Sequence, residues 1–332
     1  MKILKKILIL MIIFLASYTH ASIDLYFKKV IIWGHKLHSH THSYIHEAFY
    51  KAFQAMGYDT FWFDNNDNIS DFNFENCLFV TEGQADRGIP LVFSSYYLLH
   101  NVDQTKYKAL YDNAHAITFQ VYTHRCVGQH ADIKRIDKCI YASKTAKTIY
   151  MPWGADLLPD QIDAIKEKVK KKWGKPKEKT IYWIGTIGGG LHGNINQINT
   201  FKNACEKKAI TFKPLMRISA KENSNLIFNS YMAPTIVGEW QADEGYIPCR
   251  IFKNISYGQF GITNSKAVYD LFDHKIVYNS NTEQLFIDAQ ARLKDLTLQE
   301  MLDLMDLVKE KHTYINRINL LLNFLLECAR EN

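Results

Sequence analysis

The chain has 332 residues, 47% of them hydrophobic and 22% charged. That is too long for one average core and enough for two domains. The formal net charge is +6, of which Lys2, Lys5 and Lys6 supply three; a remainder near +3 argues against a nucleic-acid role resting on bulk charge.

Met1-Lys-Ile-Leu-Lys-Lys6 precedes an apolar run from Ile7 to Ala16 and then Ser17-Tyr-Thr-His-Ala21. Basic start, apolar middle and small terminal residue make a secretory signal peptide, with Ala21 the last residue removed. The apolar run is roughly ten residues, short of the ~20 that span a bilayer. The alternative is an uncleaved anchor holding the chain to a membrane through residues 4–18. The expected location is the secretory pathway or export (periplasm, or the ER or Golgi lumen). No later segment is apolar enough to span.

Strand and helix signals then alternate. Val30–Trp33 reads as a buried strand. Ala48, Phe49, Ala52, Phe53 and Met56 follow a helical period that Gly57 stops, and Asp59–Phe63 is the next strand. Such a βαβ unit implies a parallel sheet covered by helices. Further strands are expected at Cys77–Thr81, Leu91–Leu99, Ala116–Val121 and Thr148–Met151. Pro159 opens a charged helix ending near Trp173, and residues 174–179 form a linker. The basic run Lys166–Lys179 (KEKVKKKWGKPKEK) reads as a solvated face.

A second alternating set follows: a strand at Thr180–Ile184, a glycine-rich loop, a helix over 196–207, and strands at 210–216 and 234–237. Pro248 opens a helix, being suited to a first turn; strands are expected again at 260–263 and 275–278. From Glu283 the chain reads as helical, the last helix spanning about 312–329. The fold class is therefore α/β, with two Rossmann-like doubly wound domains facing across a cleft and a helical tail. The expected divisions are 1–21, 22–158, 159–179, 180–295 and 296–332. Ligands of such sheets sit at the carboxyl ends of strands, so the cleft is the expected site.

Six cysteines are present: Cys77, Cys126, Cys139, Cys205, Cys249 and Cys328. None forms a C-x-x-C pair, so a structural zinc is not expected. Export would permit disulfides; Cys126 and Cys139 are then the best pair, against the alternative of six free thiols.

Three segments carry chemistry. His35-Lys-Leu-His38-Ser-His40-Thr-His42-Ser-Tyr-Ile-His46 lies between the first strand and the first helix. Histidine exchanges protons near neutral pH, which makes His42, and then His38, candidate bases, with Glu82 after a later strand to orient an acceptor. The rival reading is a metal site on His38, His42 and His46, the last two spaced as two ligands on one helix face. The loop Gly185-Thr-Ile-Gly188-Gly189-Gly190-Leu-His-Gly193-Asn194 follows a strand and precedes a helix, where backbone can approach a phosphate or sugar. It lacks P-loop and G-x-G-x-x-G spacing. In Pro248-Cys-Arg250-Ile-Phe-Lys253, a helix start and Arg250 together suit an anion.

From Arg250 the chain reads Arg250-Ile-Phe252-Lys253-Asn-Ile-Ser-Tyr-Gly258-Gln-Phe-Gly-Ile-Thr263. This resembles the R-x-F-E-x-x-x-x-G segment of bacterial GT-B glycosyltransferases, which lies at the sugar-nucleotide site. The resemblance covers roughly residues 180–290. It implies a glycosyltransferase moving a sugar from a nucleotide-sugar donor to a carbohydrate or other hydroxyl acceptor, without a metal or cofactor. Gly188, Gly189, Gly190, Arg217, Lys221 and Arg250 would hold the donor diphosphate. The glutamate that holds the donor ribose in the family is Lys253 here, and a lysine cannot accept hydrogen bonds from hydroxyls. Glu244, or Glu239, would then take that role. Trp153 could stack on a sugar, although hinge packing is the simpler role. An exported metal-binding protein and a non-catalytic GT-B-like binding protein are the alternatives.

Overall fold

The computed structural model describes residues 27–37, 42–82, 88–101, 107–112, 115–126 and 128–330. The signal segment of residues 1–21 and His38 lie outside the described residues, as do the side chains of Glu82 and Cys126. Among the described residues no helix is long and apolar enough to cross a membrane.

The first domain is built on one eight-stranded sheet. Its strands are β1 (Lys29–Trp33), β2 (Asp59–Phe63), β3 (Cys77–Glu82), β4 (Tyr96–His100), β5 (Ala116–Gln120), β6 (Lys134–Asp137), β7 (Ile140–Ser143) and β8 (Thr148–Tyr150). The order is β2-β1-β3-β4-β5-β8-β7-β6, parallel except where β7 pairs with β6 and β8. Successive side chains of a strand point to opposite faces. Val30 and Ile32 therefore join one core while Ile31 and Trp33 join another. Both faces being covered, β1 reads as an unbroken apolar run. Helix α1 (Ser43–Ala55) covers the first face with Phe49 and Phe53; α2 (Lys108–Tyr111) covers the second with Leu110.

Helix α3 (Pro159–Lys172) leads to the second domain. Here β9 (Thr180–Ile184) pairs in parallel with β10 (Thr211–Leu215), and β11 (Ile262–Thr263) with β12 (Val277–Tyr278). The segment 231–237 runs between the pairs. Tyr231 N–H donates to the Thr180 carbonyl at 2.8 Å, and Thr235 N–H to that of Ile262 at 2.8 Å. Its contact with the sheet narrows to a single bridge at Thr235, so the strand expected at 234–237 is irregular. The surrounding helices are α4 (Ile195–Glu206), α5 (Ala220–Asn229), α6 (Glu239–Asp243), α7 (Cys249–Ser256), α8 (Lys266–Leu271), α9 (Thr282–Asp295) and α10 (Leu298–Lys311).

The last helix, α11 (Tyr314–Arg330), returns to the first domain, where Ile318, Leu321 and Leu325 join the core beside α1. The two crossings between domains run side by side: Ala155 N–H donates to the His312 carbonyl at 2.7 Å. Buried Arg317 pins both, donating to the carbonyls of Pro152 (2.8 Å) and Lys311 (3.1 Å). A side chain at Gly154 would collide with the Thr313 backbone. Trp153 is buried against His100 and Phe119, so it is hinge packing and offers no face to a sugar.

Two expectations fail locally. Leu91–Val92 precede the strand, because the Ser95 N–H turns back to the Val92 carbonyl. Cys139 is a free thiol packed against the second domain's core, not half of a bridge with Cys126.

Candidate functional site in the interdomain cleft

Strand order locates the cleft loops. In the first domain β1 lies between β2 and β3, so the strand order reverses there and a crevice opens beyond their carboxyl ends. On this side the described residues are Gly34–Leu37 after β1, His42 at the start of α1, and Glu82 at the end of β3. In the second domain β9 lies between β10 and residues 231–237, and the corresponding loops are Gly185–Asn194 and the turn at Gly238.

The glycine loop is held from below. Asn194 Oδ1 accepts the Gly188 N–H at 3.3 Å, and Asn194 Nδ2 donates to the Ile236 carbonyl at 3.2 Å. A Cβ on Gly238 would stand 2.0 Å from the Gly193 oxygen, so these two backbones touch. Gly188 thus has its amide committed. Gly189 and Gly190 are exposed, with open space where a Cβ would stand. Trp240, at the start of α6, stacks edge-on against His192 at 4.3 Å and Tyr122 at 5.3 Å.

Arg250 lies in the first turn of α7, next to the Pro248 cap. Its guanidinium stacks 3.8 Å over the Trp183 ring, and one of its nitrogens would stand 2.7 Å from a Cβ on Gly185. Gly185 has φ +129°, so both its backbone and the space above it require glycine. Arg250 has no hydrogen bond or ion pair among the described residues. Burial pulls its pKa down to about 10, and the groups that act on it are Cys249 and Tyr246, not a carboxylate. A cation at a helix start, beside a glycine loop, has the chemistry to take an anion.

One turn on, Lys253 faces elsewhere. Its ammonium stands 3.3 Å from Asp156 Oδ2, and the Tyr257 hydroxyl donates to that oxygen at 2.5 Å. Asp156 Oδ1 is buried with no hydrogen-bond partner among the described residues. Burial pulls the Lys253 pKa down, Asp156 more than offsets it, and the ammonium ends above its ordinary value. The thiol of Cys249 beside them is pushed up by burial.

The first domain meets this cluster through α1. The Tyr44 hydroxyl reaches the Ile218 carbonyl at 3.4 Å, across the cleft. Burial raises the Tyr44 pKa, while Lys253 and Arg217 oppose the rise. Arg217 is exposed after β10 with φ +56°, and is thereby brought to the cleft. Lys221 is exposed in the first turn of α5.

The other expected residues fall as follows. His42 caps α1, its carbonyl accepting the N–H groups of Ile45 and His46. Its ring is 6.1 Å from that of buried His100. His46 is buried beneath Gly34, with Nδ1 3.4 Å from the His35 carbonyl oxygen. Among the described residues no group of three His, Cys, Asp or Glu side chains could hold a metal ion. Glu82 ends β3 opposite His100. Glu244 ends α6, where its carbonyl accepts the His124 N–H at 3.3 Å, and Glu239 is exposed at the start of that helix. Asp156, Tyr257, Trp183 and Tyr44 were not expected as site residues. A local signal that could have pointed to Asp156 is its place just after Trp153 and Gly154, where the chain crosses between domains.

No family model matches the chain, and no curated protein does. Among solved structures, a glycosyltransferase involved in avilamycin A biosynthesis superposes with a TM-score of 0.51 at 8% identity, over 90% of this chain and 98% of that one. A glycosyltransferase from Rickettsia africae ESF-5 gives 0.49 at 10% identity, over 92% and 98%. A DNA-modifying beta-glucosyltransferase gives 0.46 at 10% identity, over 89% and 99%. At such identities the likeness is one of fold: two Rossmann-like domains in the GT-B arrangement.

Proposed function

We propose that the protein is a glycosyltransferase that moves a sugar from a nucleotide-sugar donor to an acceptor hydroxyl. The observation that carries the proposal is Arg250, a half-buried cation without a counter-ion among the described residues, stacked on Trp183 at the carboxyl end of β9. The donor diphosphate supplies the missing charge. The amides of Gly189 and Gly190 and the α7 start add donors, and Arg217 closes the site from the β10 side. Fixed cationic groups stabilise charge that develops on the leaving diphosphate, so a metal is not required. The acceptor enters from the α1 side, where His42 is the candidate base. Bulk charge does not decide among acceptors, nucleic acid among them. The N-terminal leader belongs to the proposal too, and N-terminal sequencing of the mature protein tests it.

Lys253 cannot serve the donor ribose as the family's glutamate does, because it is engaged with Asp156. That substitution is the observation favouring a second reading, a protein that binds the donor without transferring it.

The test is a thermal-shift screen with UDP- and GDP-sugars and EDTA present, followed by an assay for released nucleotide. At least one donor should raise the melting temperature, and Arg250→Ala should abolish the rise. A shift without nucleotide release supports the binding protein. No shift with any donor overturns both readings.

A further inference from the structure

The basic run Lys166–Lys179 takes no part in the cleft. It borders a groove of about 630 Å³ at the opposite end of the second domain, where β9 begins. That volume falls among small-molecule sites. Lys172, Lys175, Lys177 and Lys294 stand around it, and Phe228 and Phe260 form part of its apolar wall.

None of these four ammoniums has a carboxylate partner among the described residues. Lys172 donates to Asn229 Oδ1 at 3.2 Å and lies over the Phe228 ring. Lys177 donates to Gln259 Oε1 at 3.0 Å. Gln259 is buried and fixed, its Nε2 donating to the carbonyls of Ile227 (2.6 Å) and Ser230 (3.0 Å). Lys177 is exposed as a residue, and its ammonium rests against Gln259. Loss of water there lowers its pKa to about 8. Glu178, the acid in the wall, accepts the Tyr182 hydroxyl instead.

A cationic rim on a partly apolar groove suits a molecule with an anionic head and an apolar body. Outside the groove Lys168, Lys171 and Lys179 continue the positive surface, exposed and, among the described residues, in no ion pair. A lone soluble anion would leave these unused, whereas a surface of anionic headgroups offers charge beyond the groove as well. Trp173, 37% exposed, stands in the groove wall, and an indole suits the boundary between headgroups and acyl chains.

We propose that this groove seats the headgroup and upper acyl chain of an anionic phospholipid, with the exposed Lys168, Lys171, Lys175 and Lys179 lying on the membrane surface, whereas Lys166 and Lys170 are held in ion pairs with Asp306 and Glu167. The proposal is independent of the transfer reading, since it uses none of the cleft residues.

The test is co-sedimentation of the full chain with phosphatidylglycerol or phosphatidylcholine vesicles at low and high salt. Binding to phosphatidylglycerol should be at least about tenfold tighter and should weaken with salt. The double variant Lys172→Glu, Lys177→Glu should lose about tenfold, and Lys202→Glu on α4 should lose little. In the unaltered chain, tryptophan emission should shift to the blue on phosphatidylglycerol, by a component that Trp173→Phe removes. Equal binding to both lipids assigns the membrane contact to the N-terminal run and overturns the proposal. So does undiminished binding by a folded double variant. Inorganic phosphate separates the sources: protection of Lys177 from acylation by phosphate but not by vesicles makes the ligand a soluble anion and sinks the lipid assignment.

Discussion

Lys253 and Asp156 face each other at 3.3 Å, and through them helix α7 is tied to the crossing between domains. Both side chains are mostly buried, and Tyr257 adds a hydrogen bond to the same carboxylate. Removing one partner of such a pair leaves the other charge uncompensated, which is worth several kcal/mol when fully buried and less here because water still reaches both. Lys253→Glu, which introduces the glutamate of the GT-B segment that this stretch resembles, should therefore not create a ribose site there. It sets two carboxylates against each other and should cost about 2 kcal/mol. Exchanging the charges with Asp156→Lys and Lys253→Glu together should recover most of that loss. Thermal denaturation of the three variants checks this, and a Lys253→Glu protein as stable as the parent would show the pair to be incidental.

Arg250 should behave in the opposite way. Its depressed pKa means that the folded state disfavours its charge, so deleting the charge relieves the fold. Arg250→Met keeps an unbranched stem on Trp183 while removing the cation. Stability should stay level or rise on the order of 1 kcal/mol, after allowing for screening and for the lost stacking. Any donor-induced shift should vanish. Calorimetry with and without donor separates the two effects. A clear drop in stability would mean that Arg250 is a structural residue rather than one held ready for an anion.

Much of the scaffold was legible in the sequence. β2 and β9 fall on their expected bounds because each is a short apolar run closed by charged or glycine residues. The β6–β7 hairpin was not legible: β6 is exposed along its length, so no alternation marks it. Helix α5 buries only Ile227, which leaves no periodic stripe to read. At the site, Arg250 and the glycine loop could be found because their chemistry is local. The Lys253–Asp156 pair could not, since the partners come from different segments and neither type implies the other. The three glycines also looked alike in sequence, whereas the fold separates Gly188, committed to Asn194, from Gly189 and Gly190.

That separation makes the glycines unequal to substitution. Gly189→Ala meets open space and should leave both stability and donor binding nearly unchanged. Gly238→Ala would place its methyl group 2.0 Å from the Gly193 oxygen, a backbone atom that cannot turn aside. Forcing the loops apart should cost about 1–3 kcal/mol and should weaken donor binding by displacing Gly189 and Gly190. Urea denaturation and donor titration of both variants give the comparison. Equal behaviour of the two would mean that the loop moves freely over Gly238.

His100 sets the response to acid. It is 2% exposed, its Nδ1 lies 2.9 Å from the Phe119 carbonyl oxygen, and Asn101 Nδ2 lies 2.9 Å from its Nε2. One neutral tautomer satisfies both contacts: Nδ1–H donates to Phe119, and Nε2 accepts from Asn101. A second proton on Nε2 would face the Asn101 amide hydrogens, and among the described side chains, to which that of Glu82 does not belong, no carboxylate is in contact to offset the charge. Burial first, and His42 to a smaller degree, bring the pKa down to about 4 against the opposing Phe119 hydrogen bond. The unfolded chain titrates near 6.5. Between these values the unfolded state binds a proton that the folded state refuses. The stability from the neutral ring is therefore fully present above pH 6.5 and declines as pH falls towards 4, by about 3 kcal/mol in all. His312, held low by burial and by Arg317, acts in the same direction. Urea midpoints measured from neutral to about pH 4 should fall steadily, and His100→Gln should flatten part of the slope while His312 maintains the rest. An unchanged slope in that variant would assign the acid sensitivity to other groups.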